Sequence, residues 1–403
     1  MSSVLSGVRV IDFCWVGAGA LVTQALAVEG AEVIKIESSV HPDNLRLSGP
    51  FREGARNLDG SGYFASRNSG KKSFALNMSH PRSREIAIGL VASGSVVTSN
   101  FRPGIMERWG LDYESVKALN PSVIYLSMPM QGATGPHRDY VGFGSTIAAA
   151  AGIVDASGLP NRPPIGTGTH YPDHVPNPGH ALVALLAAIW RRERTGRGAE
   201  IELSQLESTI NVVGPALIAT SLGATLGRPA NRVTCAAPHG VFQCEGDDRW
   251  CAISVRDQSQ WESLASVIGA SEMAHDPRFA TLRLRKENED ALEAELTKVT
   301  LQCDAWDLAK TLQDCGVAAA VVETSGDLFT DPNLVARDFW RTLDHAVLGE
   351  YTVGSMPFGW RGADRGPTTP APLLGEHTEE IARTILKMLP DEIETAKTEG
   401  LFV

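Results

Sequence analysis

A proline-rich segment near the middle of the 403-residue sequence contains one acidic side chain between two histidines. The segment runs from Gly158 to Pro178, and Asp173 lies between His170 and His174. Its six prolines exclude regular structure there, because proline removes a backbone donor and restricts the preceding residue. A stiff loop before a buried helix can hold one side chain in a fixed position. We therefore expect Asp173 to be either the N-cap of that helix or a nucleophile or base.

No group of residues in the sequence has the spacing of a metal site. His174 and His180, close to Asp173, do not form a diagnostic ligand pattern. The six cysteines are Cys14, Cys235, Cys244, Cys251, Cys303 and Cys315, and none belongs to a CxxC pair. Their wide and irregular spacing predicts buried, reduced thiols, so we expect neither a metal nor a disulfide framework.

A second candidate site lies at Val16 to Ala20, where the sequence VGAGA follows a predicted strand and begins a predicted helix. Glu37 ends the next predicted strand about twenty residues further on, as in a dinucleotide-binding fingerprint. Val22 replaces the third glycine of that fingerprint, which disfavours a nicotinamide or flavin site. The more general prediction is that backbone N–H groups at this helix start approach a phosphate or carbonyl group of a ligand.

Basic residues are concentrated in the first part of an otherwise acidic sequence. Five of them are candidates for ligand binding: Arg46, Lys71, Lys72, Arg102 and Arg108. Such a group suits either a ligand with several phosphates or a solvated charged surface. The stretch NFRPG, Asn100 to Gly104, comes directly after a predicted strand, at the edge where α/β proteins bind ligands. That position favours a binding role.

The elements that position these residues alternate between short β-branched runs and longer helical patterns. The predicted strands are Val8 to Phe13, Ala31 to Glu37, Ser95 to Ser99, Val123 to Ser127 and Ala199 to Leu203. The predicted helices are Ala20 to Glu29, Pro81 to Ala92, Tyr113 to Leu119, Pro178 to Arg194 and Ser204 to Leu222. This alternation predicts an α/β fold with a parallel sheet covered by crossover helices.

A turn-rich stretch, GRPANRVTCAAPHG, predicts a domain boundary after Leu222. The segment beyond it contains a predicted hairpin and one further strand, at Gly240 to Cys244, Trp250 to Val255 and Ala318 to Val322. The tail, with a predicted strand at Tyr351 to Gly354 and a helix at Thr378 to Leu389, is too short to fold alone. We expect residues 1–224 and 331–403 to form a large domain and residues 225–330 a small α+β domain.

The composition is that of a globular protein, with 43% hydrophobic and 21% charged residues. Lys and Arg number 36 against 47 Asp and Glu, and the net charge of −11 disfavours binding to nucleic acid or anionic lipid. The sequence contains no apolar run of about 18 residues, and its first residues lack the pattern of a signal peptide. We expect a cytoplasmic protein that does not span a membrane.

Seven short segments together resemble the class III coenzyme A transferases, the family that also contains formyl-CoA transferase, carnitine CoA-transferase and the α-methylacyl-CoA racemases. The segments are GVRVIDF, GAEVIKIE, NSGKKSFALN, NFRPGIMERWGL, NPSVIYLSM, RRERTGRG and APLLGEHTEEI. Each is unspecific alone. Their order and spacing along nearly the whole chain carry the resemblance.

The resemblance implies a large Rossmann-like domain made from both chain ends, a small inserted domain, and two chains interlocked as a dimer. The family's nucleophile is an aspartate before the TGRG turn, and Asp173, 22 residues before Thr195, occupies that position. The residues that match the family's motifs for coenzyme A are Val16, Gly17, Ala18, Leu76, Asn77, Asn100, Phe101, Arg102 and Arg108. Coenzyme A is then a co-substrate, and neither a tightly bound cofactor nor a metal is implied.

The implied reaction transfers coenzyme A from an acyl-CoA donor to a carboxylic acid through an aspartyl anhydride and an aspartyl-CoA thioester. Backbone N–H groups from Val16 to Ala18 would stabilise the oxyanions formed on the way. Ser38 stands where some members carry an arginine for the phosphates of the ligand. We therefore expect Lys71 or Arg46 to make that phosphate contact.

Three further segments, THYPDHVPNPGHA, AAPHG and GDDRWCA, resemble the branch that contains succinyl-CoA:benzylsuccinate CoA-transferase subunits. This branch implies succinyl-CoA as the donor and benzylsuccinate or a similar bulky dicarboxylate as the acceptor. The small domain lacks the glycine-rich loop of formyl-CoA transferase, which disfavours oxalate and formate. A homodimer and a heteromer with a sister subunit both remain open.

Two other functions remain open on the sequence. An α-methylacyl-CoA racemase would use an aspartate in a similar place together with a histidine on the opposite face of the substrate. Phe143 stands where that histidine would be, and His137 lies six residues too early, so a racemase is disfavoured. A catalytically silent CoA-binding subunit of a heteromeric transferase is also compatible with the sequence.

Overall fold

The computed structural model describes residues 3–269, 271–362 and 366–403. These residues divide into two compact units. The large unit comprises the described residues within 1–155, 165–226 and 336–403, and therefore contains both ends of the described chain. The small unit comprises those within 156–164 and 227–335.

The strands are β1 Arg9–Asp12, β2 Glu32–Glu37, β3 Lys72–Ala75, β4 Val96–Ser99, β5 Ile124–Ser127, β6 Ala199–Glu202, β7 His239–Gln243, β8 Trp250–Ser254, β9 Ala318–Val321, β10 Trp340–His345 and β11 Gly349–Gly354. The first nine helices are α1 Gly17–Val28, α2 Gly62–Asn68, α3 Ser83–Ser93, α4 Ile105–Arg108, α5 Tyr113–Leu119, α6 Gly144–Ala150, α7 Ile153–Ala156, α8 Tyr171–His174 and α9 Pro176–Thr195. The remaining helices are α10 Gln205–Ile210, α11 Gly214–Ser221, α12 Gln258–Val267, α13 Ser271–His275, α14 Leu282–Glu287, α15 Glu289–Thr300, α16 Ala305–Asp314, α17 Pro332–Ala336, α18 Thr378–Thr384 and α19 Pro390–Thr398. Short 3₁₀ turns occur at Arg52–Gly54, Asn211–Val213, Pro277–Phe279 and Asp327–Phe329.

The large unit is built on a six-stranded sheet in the order β3-β2-β1-β4-β5-β6, with parallel neighbours throughout. This confirms the predicted α/β fold and parallel sheet. The strand order reverses direction between β1 and β4, and such a switch point opens a crevice at the carboxyl ends of the strands. The pattern did not predict β3, because its first residues, Lys72 and Ser73, are polar.

Alternate residues of the sheet pack into two cores on its opposite faces. Val10 pairs with Val33 and Val96, and these three residues belong to one buried core together with residues of α1 and α9. The next residue, Ile11, pairs with Ile34, and both belong to the second core, which contains residues of α3, α5, α18 and α19. Because successive side chains of a strand point to opposite faces, one register builds both cores. The C-terminal helices thus complete the large unit.

The proline-rich segment departs from its prediction in two places. It contains one helical turn, α8, and α9 begins at Pro176 rather than at residue 178. Proline is compatible with both positions, because the first turn of a helix does not use its N–H groups. The expectation of no regular structure in this segment is therefore wrong, and α8 is the element that carries Asp173.

Two other predicted helices have different bounds. The predicted helix at 204–222 is interrupted, because Gly214 and Pro215 begin a new helix after the 3₁₀ turn at Asn211–Val213. The helix predicted from Pro81 begins at Ser83, and Arg82 is its N-cap. A second C-terminal helix, α19, follows α18 and was not predicted.

The small unit contains an antiparallel sheet in the order β7-β8-β9. The predicted hairpin and the strand at 318–322 are confirmed. Its core packs Phe242 and Ile253 of the sheet against Trp261, Leu296 and Leu312 from three helices. Within the described residues of the whole chain, no helix has the length and apolar character needed to cross a membrane.

Candidate active site

A cavity of about 540 Å³ lies at the carboxyl ends of β1 and β4, within the large unit. We name it the Asp173 cavity. Seven of the ten predicted site residues line it: Val16, Gly17, Ala18, Asn100, Phe101, Arg102 and Asp173. Its other lining residues are Trp15, Asn44, Ile105, Met130, Tyr140, Val141, Gly142, Phe143, Ile147 and Gln205. The fold therefore joins the glycine-containing helix start, the NFR segment and the lone aspartate in one site.

A second cavity of about 260 Å³ shares Trp15, Phe101 and Ile105 with the Asp173 cavity. We name it the aromatic cavity. Its other walls are Phe13, Ile36, Glu37, Ser38, His41, Leu76, Met78, Ser79 and Trp109. Trp15 and Trp109 each meet the ring of Phe101 edge to face, with centroids 5.2 and 5.6 Å apart. The predicted residue Leu76 lies in this cavity and not beside Asp173.

The two remaining predicted residues lie outside the described linings of both cavities. The side chain of Asn77 donates a hydrogen bond to the carbonyl oxygen of Gly400 at 3.2 Å. Arg108 is the last residue of α4, and its side chain is exposed. Asn77 thus connects the segment after β3 to the C-terminal residues by a hydrogen bond. Arg108 is exposed to solvent.

Two glycines enclose the carboxylate of Asp173. A Cβ atom at Gly17 would lie 2.8 Å from the Asp173 Cβ, and one at Gly144 would lie 2.5 Å from Asp173 Oδ2. The backbone N–H of Gly144 donates a hydrogen bond to the carboxylate. Gly17 begins α1 and Gly144 begins α6, so the positive ends of two helix dipoles are directed towards one anion. Only glycine allows both helices to approach Asp173 this closely.

Burial raises the pKa of Asp173 to about 6, although the charge of His170 and the hydrogen bond from Gly144 act in the opposite direction. The residue is 7% exposed. Asp173 is the third residue of α8, and the N-cap of α9 is Val175, whose side chain makes no capping hydrogen bond. The N-cap interpretation of Asp173 is therefore wrong. Its carboxylate faces the cavity instead.

The turn before α1 is strained at Val16. This residue has φ 60° and ψ −144°, a conformation that β-branched residues rarely adopt. Asp43 Oδ1 accepts the Val16 N–H at 3.1 Å, and Asp43 Oδ2 lies 2.9 Å from the Lys35 ammonium group. Lys35 also donates to the carbonyl oxygen of Cys14 at 2.7 Å. A buried ion pair thus holds the strained turn in place.

The hydrogen bond to Asp43 uses the N–H of Val16. The prediction that this N–H stabilises an oxyanion is therefore wrong. Gly17 and Ala18 are the first two residues of α1, and N–H groups in the first turn of a helix have no partner within the helix. The two N–H groups that follow Val16 are the candidate oxyanion donors.

Asn100 fixes the neighbouring residue of the same turn. Its side-chain oxygen accepts the N–H of Trp15 at 2.9 Å, and its side-chain nitrogen donates to the Trp15 carbonyl at 2.6 Å. The amide of Asn100 is therefore occupied by the backbone. We infer that Asn100 shapes the cavity through Trp15, whose ring forms part of its wall.

The structure corrects the predicted phosphate contacts. Lys71 pairs with Asp12 at 3.2 Å and Arg46 pairs with Glu37 at 2.7 Å, and all four side chains are completely buried. Neither cation is accessible to a ligand, so the expectation that Lys71 or Arg46 binds a phosphate is wrong. Glu37 lines the aromatic cavity, but its carboxylate is buried in the pair with Arg46, so it is not free to bind the ribose of a dinucleotide. Lys72 pairs with surface carboxylates.

Sequence reasoning missed Gly144, which contacts Asp173 directly. The sequence carried a signal for it, since GFGS places two glycines before a helical pattern, as VGAG does before α1.

Gln205 was also missed. Its side chain donates to the Met128 carbonyl at 2.7 Å and thereby forms part of the cavity wall, a contact that no local pattern reveals.

Comparisons with known sequences find relatives along nearly the whole chain. The family model described as CoA-transferase family III matches residues 5–378. A probable CoA-transferase of Mycobacterium tuberculosis is 33% identical over 96% of this chain, and the chain spans about half, 49%, of that relative's length. A succinyl-CoA–D-citramalate CoA-transferase of Chloroflexus aurantiacus is 31% identical, with 96% of both chains covered. The β subunit of a succinyl-CoA–L-malate CoA-transferase from the same organism is 30% identical, with 98% of this chain and 97% of that subunit covered.

A comparison with solved structures finds the same relationship. A CAIB/BAIF family protein from Brucella suis superimposes with a TM-score of 0.86 and is 31% identical. The match covers 96% of this chain and 100% of the other. Similarity therefore extends over both units and is not confined to the sheet.

Proposed function

The chain belongs to CoA-transferase family III, and we propose that it moves coenzyme A from an acyl-CoA donor to a carboxylic acid through covalent intermediates on Asp173. The observation that carries this proposal is the position of one buried carboxylate between two helix starts at the wall of a large cavity. A carboxylate in that setting is a nucleophile with oxyanion donors beside it.

In the first half of the proposed reaction, a carboxylate oxygen of Asp173 attacks the thioester carbonyl of the donor. The carbon–sulfur bond breaks and the CoA thiolate leaves, so that a mixed anhydride remains on Asp173. The thiolate then attacks the carbonyl carbon of Asp173 and releases the donor acid as a carboxylate. The product is an aspartyl-CoA thioester.

The second half repeats these steps in reverse. The acceptor carboxylate attacks the aspartyl thioester and displaces the thiolate, which forms a second anhydride. The thiolate attacks the acyl carbon of the acceptor, and the Asp173 carboxylate is regenerated. The thioester bond is conserved in the exchange, so the reaction needs no ATP.

The surroundings of Asp173 favour both halves of the proposed reaction. A pKa of about 6 leaves the carboxylate ionised above neutral pH, while burial removes much of the water that would stabilise the anion or hydrolyse the anhydride. The N–H groups of Gly17 and Ala18 stabilise the tetrahedral oxyanions in our proposal. Each such donor typically contributes about 3 kcal/mol.

Coenzyme A would extend from the Asp173 cavity into the aromatic cavity. The shared wall of Trp15, Phe101 and Ile105 joins the two spaces, and a flat adenine ring suits a pocket lined by aromatic rings. Arg102 lines the Asp173 cavity with an exposed side chain, and Arg108 follows it on α4. We propose that these two arginines meet the phosphates, with Leu76 and Asn77 at the far end.

For the acids, we propose succinyl-CoA as the donor and a bulky dicarboxylate such as benzylsuccinate as the acceptor. Two relatives carry succinyl-CoA together with D-citramalate or L-malate in their names. The second of these relatives is a β subunit. We accordingly propose that this chain acts as a homodimer or in a heteromer with a sister subunit, in the cytoplasm.

The test is mass spectrometry of the purified protein after incubation with succinyl-CoA and trapping with hydroxylamine. We expect a hydroxamate on the peptide that contains Asp173. The Asp173→Asn variant should show none, and Glu193→Gln, a change at an exposed carboxylate of α9, should behave like wild type.

Two results would overturn the proposal. Exchange of the α-proton of an acyl-CoA with deuterated water, without any adduct, would indicate a racemase. Binding of coenzyme A with neither adduct nor exchange, alone or with a sister subunit, would indicate a silent subunit.

A further inference from the structure

Gln205 connects the end of β5 to the start of α9, the helix that follows the nucleophile. This residue begins α10, is 8% exposed and lines the Asp173 cavity. Its backbone N–H donates to the carbonyl oxygen of Pro129 at 3.1 Å, and its side-chain nitrogen donates to that of Met128 at 2.7 Å. Met128 directly follows β5. Two hydrogen bonds therefore fix Gln205 to the sheet.

The side-chain oxygen of Gln205 contacts the first turn of α9. It accepts a hydrogen bond from the side-chain nitrogen of Asn177 at 3.3 Å. Asn177 is the second residue of α9 and is completely buried. Its side-chain oxygen lies 3.3 Å from the hydroxyl oxygen of Thr209, which is also completely buried. The side-chain amide of Asn177 is therefore held between two residues of α10.

This amide is well placed to anchor the start of α9. Pro176 and Pro178 lie on either side of Asn177, and proline has no backbone N–H with which to bond a neighbouring element. A buried amide without partners destabilises the folded state, so the Asn177 side chain favours the position in which it meets Gln205. The bond between the two amides thus sets where α9 begins relative to the sheet.

A single residue separates α8 from α9, so a displacement of one helix moves the other. Asp173 is the third residue of α8, and Val175 lies between the two helices. The N–H of Val175 donates to the Tyr171 carbonyl at 3.0 Å, and its carbonyl accepts the Gly179 N–H at 3.1 Å. Asn177 follows Asp173 by four positions. The connection between the nucleophile and the anchored amide is therefore short and hydrogen-bonded on both sides.

The contact between Asp173 and α1 leaves little room for such a displacement. A Cβ atom at Gly17 would lie 2.8 Å from the Asp173 Cβ, so the first turn of α1 packs directly against the aspartate. The distance from the carboxylate to the N–H groups of that turn depends on where α8 lies. A misplacement of about 1 Å can lower the rate of a reaction about 100-fold.

We propose that Gln205 is a positioning residue for the transfer reaction. Through its hydrogen bond to Asn177, it sets the distance between the Asp173 carboxylate and the N–H groups at the start of α1. Gln205 acts through α9 and does not touch the reacting atoms. This inference rests on the proposed function, because the reacting group is the carboxylate of Asp173.

The test measures the rate at which succinyl-CoA loads Asp173 in a single turnover, with the adduct trapped by hydroxylamine. Gln205→Met removes the amide and keeps the length of the side chain. It should lower the loading rate at saturating succinyl-CoA about 10- to 100-fold. The concentration of succinyl-CoA that gives half of the maximal rate should change little, because Gln205 does not bind the ligand in this proposal.

Asn177→Leu removes the same hydrogen bond from the other side and should lower the loading rate to a similar extent. The double variant should be no slower than either single variant, since both changes break one contact. Asn177→Leu also takes the place of Gln205→Met in every comparison if the latter does not fold.

Ser208→Ala is the matched control. Ser208 Oγ lies 2.8 Å from His180 Nδ1, so this change removes a different contact between α9 and α10 and should leave the loading rate nearly unchanged. A second measurement needs no turnover: hydrogen exchange of the peptide that contains α8, followed by mass spectrometry. Exchange should be faster in Gln205→Met than in wild type and in Ser208→Ala.

Each other outcome is decisive. A wild-type loading rate in Gln205→Met would overturn the inference, and so would an equal loss in Ser208→Ala. A higher half-saturating concentration with an unchanged maximal rate would make Gln205 a ligand contact instead. Unchanged hydrogen exchange in α8 would also contradict the positioning role. Faster exchange in Gln205→Met, together with a wild type that is never loaded, would leave the positioning of α8 standing and refute the proposed function.

Discussion

At the residue scale, packing against two glycines decides the chemistry of Asp173. A side chain at Gly17 or Gly144 would overlap the aspartate, so the backbone of two helix starts surrounds the carboxylate directly. That contact removes water and brings N–H donors close to the same atoms. The pKa of about 6 reflects the balance, with desolvation stronger than the charge of His170 and the hydrogen bond from Gly144.

This balance predicts that Asp173 destabilises the folded protein at neutral pH. Its pKa rises from 3.8 to about 6 on folding, so the folded state holds the proton more tightly and loses stability as the pH rises from 4 to 6. We expect Asp173→Asn to raise the free energy of unfolding by up to about 3 kcal/mol at pH 8. The difference should vanish below pH 4. Urea unfolding at both pH values measures it.

An exposed aspartate, Asp139, provides the control, since its side chain is 80% accessible. Asp139→Asn should change the free energy of unfolding little at either pH. Equal stability of wild type and Asp173→Asn at pH 8 would show that the carboxylate is not desolvated, and would remove the support that burial lends to its role as nucleophile.

At the scale of elements, the start of α1 depends on an ion pair beneath it. Val16 adopts a backbone conformation that typically costs about 1–3 kcal/mol in a residue other than glycine. Asp43 compensates through the hydrogen bond to the Val16 N–H, and Lys35 neutralises Asp43. The direction of the first N–H groups of α1 is therefore set by Lys35 and Asp43, which are not among the described lining residues of the Asp173 cavity.

We predict strong coupling between Lys35 and Asp43. Lys35→Met or Asp43→Asn alone should each cost about 3–5 kcal/mol of unfolding free energy, because either change leaves an uncompensated buried charge. The double variant should lose clearly less free energy of unfolding than the two single variants lose together. Denaturant unfolding of the four proteins measures the coupling.

Lys72→Met is the control for this cycle. Lys72 pairs with Glu32, and both side chains are about one-third exposed, at 31% and 32%. Removing the Lys72 ammonium group should lower the free energy of unfolding by less than about 1 kcal/mol. Additive effects of Lys35→Met and Asp43→Asn would show that the two side chains are not coupled and that their ion pair does not hold the turn at Val16.

At the scale of the whole molecule, the large unit leaves an apolar stripe on α9. Val183, Leu186 and Trp190 are spaced for one face of the helix and are 71%, 46% and 64% exposed. Apolar groups clustered in this way on a protein surface mark association sites. The stripe supports the proposed assembly of this chain with a second chain.

We therefore predict that the protein sediments as a dimer and that Leu186→Glu with Trp190→Glu shifts it towards monomer. A charge placed in a buried apolar interface has no partner there, which weakens association by several kcal/mol. Analytical ultracentrifugation of both proteins measures the effect, with Glu193→Gln on the same helix as control. A wild-type monomer would contradict the homodimer and favour the heteromer with a sister subunit.

Much of this protein is determined by the sequence alone. The alternation of strand and helix patterns predicts the parallel α/β sheet. This is possible because the spacing of apolar residues differs between strands and helices and can be read from neighbouring residues. Asp173 is identifiable as the one acid of a proline-rich loop before an apolar helix. The glycine-containing start of α1 and the NFR segment are local patterns too, and the fold brings them to the same cavity.

Only the tertiary structure decides which charges are available to a ligand. Lys71 and Arg46 look like phosphate-binding residues in the sequence, yet both are buried against carboxylates from other strands and loops. Asn100 looks like a ligand-binding residue in the sequence, yet its side-chain amide is occupied by the backbone of Trp15. The reason is physical: burial and pairing depend on contacts between distant segments, which local composition and periodicity do not encode.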